Sequence, residues 1–318
     1  MKFGWIQEHA TAYPITVLCG VLGVSAGGYH RWKSAGPSKR QRYRQAIDAA
    51  VAEVFADSWG IYGRRKIFQE LRERPGGVRP SCNAIGDSMR RQGLRSRACK
   101  ARRPRTTISN PRHRKPQNLL ARDFTAEAPN TRWVTDITYI SVAGRWSYLA
   151  TVTDLFSRRI VGWSVAEHMR VSLVIDAMRD AVEARRPRCT IRHEGVRLGS
   201  GLLLHSDRGS QYTSEEFRSM LEVLGVTQSM SDVGRCHDNA VAESVFGSVK
   251  TEWTNHEVYE SLSELRSSLR VYFEWFNRKR RHQTLGYRSP AAFESAWRQR
   301  AADPSSASPA GTVSAAVT

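Results

Sequence analysis

Three strand patterns follow one another between residues 133 and 167, and helix and strand patterns alternate after them. Trp133 to Ser141, Arg145 to Thr153 and Arg159 to Glu167 are rich in β-branched and aromatic residues, and they are separated by Gly144 and by the turn Asp154 to Ser157. A helix is predicted from Ser172 to Arg186. Then come a strand at Leu202 to His205, a helix at Ser214 to Leu224, a strand at Val226 to Met230 and a helix carrying Glu243. This order specifies an α/β unit with a mixed sheet, beginning near Asn118 and running to about Trp253.

Three acids sit at the ends of those elements. Asp136 closes a β-rich run in RWVTDITYI, Asp207 follows the apolar run Leu202 to Leu204, and Glu243 lies one turn into a helix for which Asp238 and Asn239 are cap candidates. Seventy residues separate the first pair and thirty-five the second. Carboxylates on separate elements can converge. Hard divalent ions take oxygen ligands, and two such ions roughly 3.5–4 Å apart can clamp the attacking and leaving oxygens of a phosphate displacement. Spacing alone does not separate such a trio from carboxylates that cap helices or face solvent. The wording around each acid does.

That wording is WVTDITYI, YLATVTDLFSRRIVGWSV (Tyr148 to Val165), HSDRGSQYTS (His205 to Ser214), DNAVAES followed by Lys250, and NRKRRHQTLGYRSPAAFE (Asn277 to Glu294). Together these runs resemble the DDE transposases of bacterial insertion sequences, in particular the second-frame (OrfB-type) proteins of the insertion-sequence-three family, relatives of retroviral integrases. They span most of residues 123 to 295 in the family's order. The resemblance implies an α/β, RNase H-like (retroviral integrase-like) mixed-sheet catalytic core behind an N-terminal all-α helix-turn-helix region. It also implies Asp136, Asp207 and Glu243 as catalytic and metal-binding residues for two Mg2+ or Mn2+ ions. Asp136 and Asp207 would bridge or flank both ions and Glu243 would complete the second site. Lys250, two helical turns beyond Glu243 on the same face, would reach DNA phosphate; a lone lysine is more often an ordinary solvated side chain, but the family position favours the DNA contact.

Charge points to the same partner. Residues 1 to 122 hold 25 Lys and Arg against 7 Asp and Glu, whereas residues 123 to 318 hold 24 against 23, so nearly all of the net +19 is N-terminal. Lysines and arginines that neutralise phosphates release condensed counterions and give sequence-independent affinity for nucleic acid.

The N-terminal third is predicted helical. Ile15, Leu18, Cys19 and Leu22 share one face, Gly23 permits a tight turn, and Ser25 can cap a second short helix through Tyr29 and Trp32, a helix-turn-helix in which Arg31 and Lys33 could face DNA. A second helical unit has the stripe Ile47, Val51, Val54 and Phe55, a helix at Tyr62 to Leu71, and another at Ser81 to Arg91 with Ile85 and Met89 inward. Its apolar stripes are core, and Arg64, Arg65 and Lys66 are the candidate DNA contacts. The basic run from Arg95 to Lys115, with Arg102 and Arg103, reads as an extended linker along a phosphate backbone. The expected divisions are 1–43, 44–94, a linker at 95–117, the catalytic core at 118–255, a basic and aromatic helical segment at 256–300 and a disordered tail at 301–318.

Other residues carry less. His205 and His237 could bond DNA or the carboxylates, or serve as satisfied structural histidines. Asp154 suits a turn residue bonding Ser157 or neighbouring amides. Ser210 and Tyr212 follow Asp207 and would shape its loop. In the segment Tyr272 to Trp297 the aromatics could stack on bases or pack onto the core, with the loop containing Arg280 and Arg281 facing DNA. The five cysteines form no CxxC pair, which argues against a disulfide framework or structural zinc. No signal peptide or apolar membrane span appears, so the expected location is cytoplasmic and nucleoid-associated.

The function these features predict is a metal-dependent transposase that cleaves and transfers DNA strands at insertion-sequence ends. Its partners would be double-stranded DNA, both terminal inverted repeats and target, a homo-oligomer assembled on that DNA, and an upstream-frame product fused by frameshift. Two other readings stand beside it: a non-catalytic DNA-binding regulator of transposition, and a simple RNase H-like nuclease that cleaves without joining.

Overall fold

The computed structural model describes residues 2–98, 125–185, 189–192, 195–198, 201–231 and 240–302. The chain divides into two compact units, Met1–Arg95 and Ser96–Thr318.

The first unit is all helical. Helix α1 (Lys2–His9), for which the sequence carries no clear signal, packs with α2 (Ile15–Val21) and α3 (Ala26–Ser34) around Ile6, Leu18, Cys19 and Tyr29. The tight turn is at Gly23, whose φ of +61° is left-handed. Ser25 caps α3 by accepting the Gly28 amide at 3.0 Å.

Helix α4 (Lys39–Asp57) starts five residues ahead of the predicted unit and carries a capping box between Ser38 and Gln41. Its buried Ile47, Val51 and Val54 meet Ile67 and Leu71 of α5 (Arg64–Glu73) and Ile85 and Met89 of α6 (Cys82–Arg91). Asp48 then locks α4 to α6, accepting from Ser88 Oγ at 2.5 Å and Arg91 at 2.6 Å.

The second unit is built on one mixed sheet. β1 (Arg132–Val142), β2 (Arg145–Asp154) and β3 (Ile160–Ala166) form an antiparallel meander; β6 (Leu203–Ser206) and β7 (Thr227–Met230) add in parallel on the far side of β1, giving the order β3-β2-β1-β6-β7. This is the RNase H-like arrangement. Between them lie α7 (Val171–Arg185), a separate hairpin of β4 (Cys189–Arg192) and β5 (Gly195–Leu198) that the sequence reading lacks, the short α8 (Ser210–Thr213) and α9 (Glu215–Leu224). Helices α10 (Ala240–Glu252), α11 (Leu262–Arg278) and α12 (Pro290–Ala302) complete the unit.

The main core sits between the sheet and α7 and α9: Trp133, Ala150 and Val152 face Leu173, Met178 and Phe217. Helix α7 crosses β3 at Gly162, where a Cβ would come 2.4 Å from the Ala177 carbonyl oxygen, so only glycine allows this approach.

The α11 aromatics are core, whereas Tyr287, Phe293 and Trp297 are half-buried. Tyr272, Phe273, Trp275 and Phe276 are buried on α11, and Phe273 packs against Trp163 of β3. Asn277 satisfies the outer edge of β3 with one side chain, accepting from Ile160 N and donating to Ile160 O. Glu294 of α12, 1% exposed, accepts from Ser157 at 2.7 Å and from both terminal nitrogens of Arg185 at 2.9 Å. The segment from 256 on therefore packs into the same unit as the sheet.

Candidate active site

The ladder between β1 and β6 is short. Its last pair is Val134 with His205, after which the parallel strands part. Asp136 stands two residues beyond Val134 on β1, and Asp207 two residues beyond His205, just past the end of β6. The two acids stand at the same level on neighbouring strands, about 4.8 Å apart at the backbone while the ladder lasts, close enough for the charge of Asp207 to act on Asp136. From there β1 continues with β2 alone on its other side, Asp136 pairing with Thr151.

Helix α10 runs along the edge that β1 exposes. Ala242 shares a small apolar cluster with Val134 and Leu155, which brings the neighbouring Glu243 toward the two acids.

Backbone amides orient the two aspartates. Asp136 Oδ1 accepts from its neighbour's amide, Ile137 N, at 2.8 Å, and Asp207 Oδ1 accepts from Gly209 N at 2.9 Å. Beneath them the buried Tyr212 hydroxyl meets Thr135 Oγ1 at 3.2 Å.

The electrostatics are those of a recessed acidic cleft. Burial, then the charges of Asp207 and Glu243, hold the Asp136 carboxyl well above the usual range, with the Ile137 amide opposing. Asp136 retains some solvent exposure, as a carboxylate recessed at the floor of an opening does. Burial also raises Asp207 against the Gly209 amide. Repulsion between the two carboxylates is mutual and belongs to the pair. The Tyr212 phenol is pushed far up by burial, then by the Asp136 and Asp207 charges, and stays neutral.

Among the described residues, no Lys or Arg forms an ion pair with Asp136 or Asp207. Nor are any three His, Cys, Asp or Glu gathered closely enough to hold an ion as they stand. The two facts are compatible. Coulomb coupling acts across several ångströms, whereas ligation needs oxygens about 2.0–2.6 Å from one point.

The other predicted residues separate into groups. The Lys250 ammonium lies 4.1 Å from the centroid of the Tyr139 ring, half-buried, and desolvation lowers its pKa. Arg280 corrects the expectation of an exposed DNA contact. It is buried, gripping Glu252 through two bonds of 2.7 and 2.5 Å, touching Ser248 and lying over Phe276. Arg281 is partly exposed and donates to the Tyr287 carbonyl at 3.1 Å.

His205 is a structural histidine, buried between the hydroxyls of Ser229 at 2.9 Å and Ser231 at 3.2 Å. Asp154 is buried and accepts the amides of Asn130 and Phe156 at 2.7 and 2.8 Å, while Ser157 bonds Glu294 instead.

In the first unit Arg31 and Lys33 are exposed on α3. Arg64 and Arg65 are exposed on the first turn of α5, and Lys66 is half-buried over the Tyr62 ring. Arg102, Arg103, His237 and the cap candidates Asp238 and Asn239 lie outside the described residues. The sequence reading missed the Glu252 and Glu294 clamps, whose partners lie far away in the chain.

Comparison with known proteins agrees with this architecture. A family model described as an integrase core domain matches residues 126–236, a second of the same description matches 224–290, and an HTH-like domain matches 42–104. Transposase InsF for insertion sequence IS3A from Escherichia coli (strain K12) is 36% identical over 300 residues, covering 92% of this chain and 98% of the relative. An insertion element IS600 31 kDa protein from Shigella sonnei is 35% identical over 288 residues, covering 90% and 100%.

Among solved structures, the simian T-cell lymphotropic virus intasome matches with a TM-score of 0.45 at 16% identity, covering 84% of this chain and 80% of that one. The HTLV-2 integrase catalytic core in complex with magnesium matches at 0.40 and 16%, covering 53% and 98%. The RNase H-like assignment rests on strand order and the domain matches. At 36% identity across nearly the whole of both proteins, this chain belongs to the transposases of the IS3 insertion-sequence family.

Proposed function

We infer that this transposase cleaves and joins DNA strands with Asp136, Asp207 and Glu243 as its catalytic carboxylates. The observation that carries the reading is the placement of Asp136 and Asp207 at the same level beyond the last rung of the β1 and β6 ladder. Two acids held above the usual range by burial, Asp136 also by the charge of Asp207, with no cationic side chain paired to them among the described residues, suit a divalent cation. The donor set is all oxygen, which fits Mg2+ or Mn2+, two ions per site. Asp136, Asp207 and Glu243 would hold the ions, which would supply Lewis-acid activation of water or a DNA 3′-hydroxyl and neutralise charge on the leaving oxygen.

The chain's own residues do the rest. Amides of Ile137 and Gly209 fix the aspartate rotamers, and the Thr135 and Tyr212 pair closes the underside with neutral groups. Lys250 offers a cation to a DNA phosphate two helical turns from Glu243. The basic helical unit, with Arg31, Lys33, Arg64, Arg65 and Lys66, binds the element's terminal repeats, and the protein works as an oligomer on DNA, as a fusion with the upstream frame where one exists.

Labelled DNA ends of the native element, incubated in Mg2+ or Mn2+ with this chain and in parallel with its upstream-frame fusion, test the reading. Metal-dependent nicks and joined products, absent with Asp207→Asn, are expected. Binding without either product from both constructs overturns it.

A further inference from the structure

Trp146, near the start of β2, is 58% exposed, yet its surroundings are ordered by three contacts. In the register of the hairpin Ser141 pairs with Trp146 and Tyr139 with Tyr148, so Tyr139 and Trp146 are diagonal neighbours on one face. Their rings meet edge to face with centroids 4.8 Å apart and planes at 75°. The Tyr139 ring in turn carries the Lys250 ammonium 4.1 Å from its centroid. The hairpin tip is held as well: Ala143 and Gly144 both take positive φ, and the Ala143 amide donates to the Tyr259 carbonyl at 2.8 Å.

A single exposed tryptophan needs no explanation by itself. The charges around this one do. Exposed Arg145 precedes it, Lys250 lies behind its partner ring, and residues 137–148 contain no acid. Among the described residues neither cation is paired with a carboxylate, although residues 123–318 hold 24 Lys and Arg against 23 Asp and Glu. An aromatic face flanked by unpaired cations is complementary to a base and its phosphates.

Position narrows the ligand further. Tyr139 lies three residues beyond Asp136, about 10 Å along a strand, and Lys250 seven beyond Glu243, about 10 Å along a helix. Both displacements run the same way, because Ala242 clusters with Val134 and Lys250 with Tyr139. Trp146, opposite Ser141, stands five residues beyond Asp136 along the strand pair, about 17 Å, or about five nucleotides at about 3.4 Å each.

We propose that Trp146, steadied by Tyr139 and flanked by Lys250 and Arg145, is a stacking platform for an unpaired base of the DNA strand whose phosphodiester lies at the acids. The identity of the ligand rests on the strand-transfer reading above. Stacking is sequence-tolerant, so the platform holds the strand in place and leaves recognition to the N-terminal unit.

The test uses the full-length chain carrying Asp207→Asn, so that DNA stays intact, and a forked duplex of the element's terminal repeat. 2-Aminopurine occupies, in turn, each of the six unpaired positions nearest the cleaved bond. Stacking on the indole quenches its fluorescence at one position. Adding Trp146→Ala abolishes that quenching and weakens fork binding about tenfold, whereas adding Trp146→Phe, which keeps a ring, preserves most of both. Quenching at no position, quenching that survives Trp146→Ala, or equal loss with Ala and Phe overturns the platform. Wild-type chain and its fusion are assayed for cleavage in parallel. Quenching without cleavage sinks the catalytic reading and leaves the platform standing, and cleavage without quenching does the reverse.

Discussion

Asp136 and Asp207 each stand two residues beyond a partner in the last rung of a parallel ladder, Val134 for one and His205 for the other. The pairing of those two strands thus sets the separation of the acids. His205, pinned between Ser229 and Ser231, holds β6 to β7 at the same level. Any change that slips β1 against β6 separates the carboxylates even when both remain intact.

The first prediction concerns pH. Asp136 has a folded-state pKa raised by burial and by the charges of Asp207 and Glu243, so the folded chain keeps a proton that the unfolded chain releases. Its cost is absent below the ordinary carboxylate range, grows as pH rises from there through the raised folded value, and is constant above it. Asp136→Asn removes the cost. Without divalent ions its melting temperature at neutral pH should exceed wild type by about 2–4 °C, the shift that about 1 kcal/mol gives in a unit of this size. The difference should vanish near pH 3. Equal melting temperatures at neutral pH would contradict the raised Asp136 carboxyl.

The second concerns the end of α10. Glu252 is 3% exposed and takes two bonds from Arg280 and one from the Tyr272 hydroxyl at 2.9 Å. Removing one partner of such a pair leaves a buried charge, at a cost of about 3–5 kcal/mol. Urea unfolding of Arg280→Ala should show that loss, while Arg281→Ala, partly exposed, should lose less than about 1 kcal/mol. Comparable losses would show that the two arginines are equivalent.

Much of this arrangement was legible in the sequence. The first three strands lie within a residue or so of the predicted ends, because β-branched and aromatic runs broken by Gly144 leave little choice. The acids could be picked out by their surrounding motifs, but their shared level could not, since strand register depends on pairing across seventy residues. Arg280 was misread because NRKRRH looks like an exposed basic loop; its partner, Glu252, lies 28 residues earlier. The buried α11 aromatics follow helical spacing, which favours core over a base-stacking surface. Helix α1 and the hairpin of β4 and β5 have no strong periodicity to announce them.

The third prediction is at Gly162. A Cβ there would meet the Ala177 carbonyl oxygen and the Ala181 amide nitrogen, both at 2.4 Å, and backbone cannot turn aside as a side chain can. Gly162→Ala should lift α7 from β3 and cost about 3 kcal/mol, the upper end for overpacking. Chemical denaturation measures it. A loss below about 1 kcal/mol would mean that α7 shifts freely.

The fourth concerns Lys250. If its ammonium meets a phosphate, Lys250→Ala should flatten the dependence of log K on log salt by about 0.9 for duplex DNA. Arginine at that position should restore the slope. A binding titration over a salt series measures it, and an unchanged slope would leave Lys250 as a partner of Tyr139 alone.

Divalent-cation binding by Asp136 and Asp207 together is the proposal on which the others depend. Equilibrium dialysis against Mn2+ at neutral pH, comparing wild type with Asp136→Asn and Asp207→Asn, tests it most directly. The account predicts saturable binding in the wild type and at least tenfold weaker binding in either variant, since each substitution removes a charged oxygen ligand from the same opening. Equal Mn2+ affinity in all three proteins would contradict it.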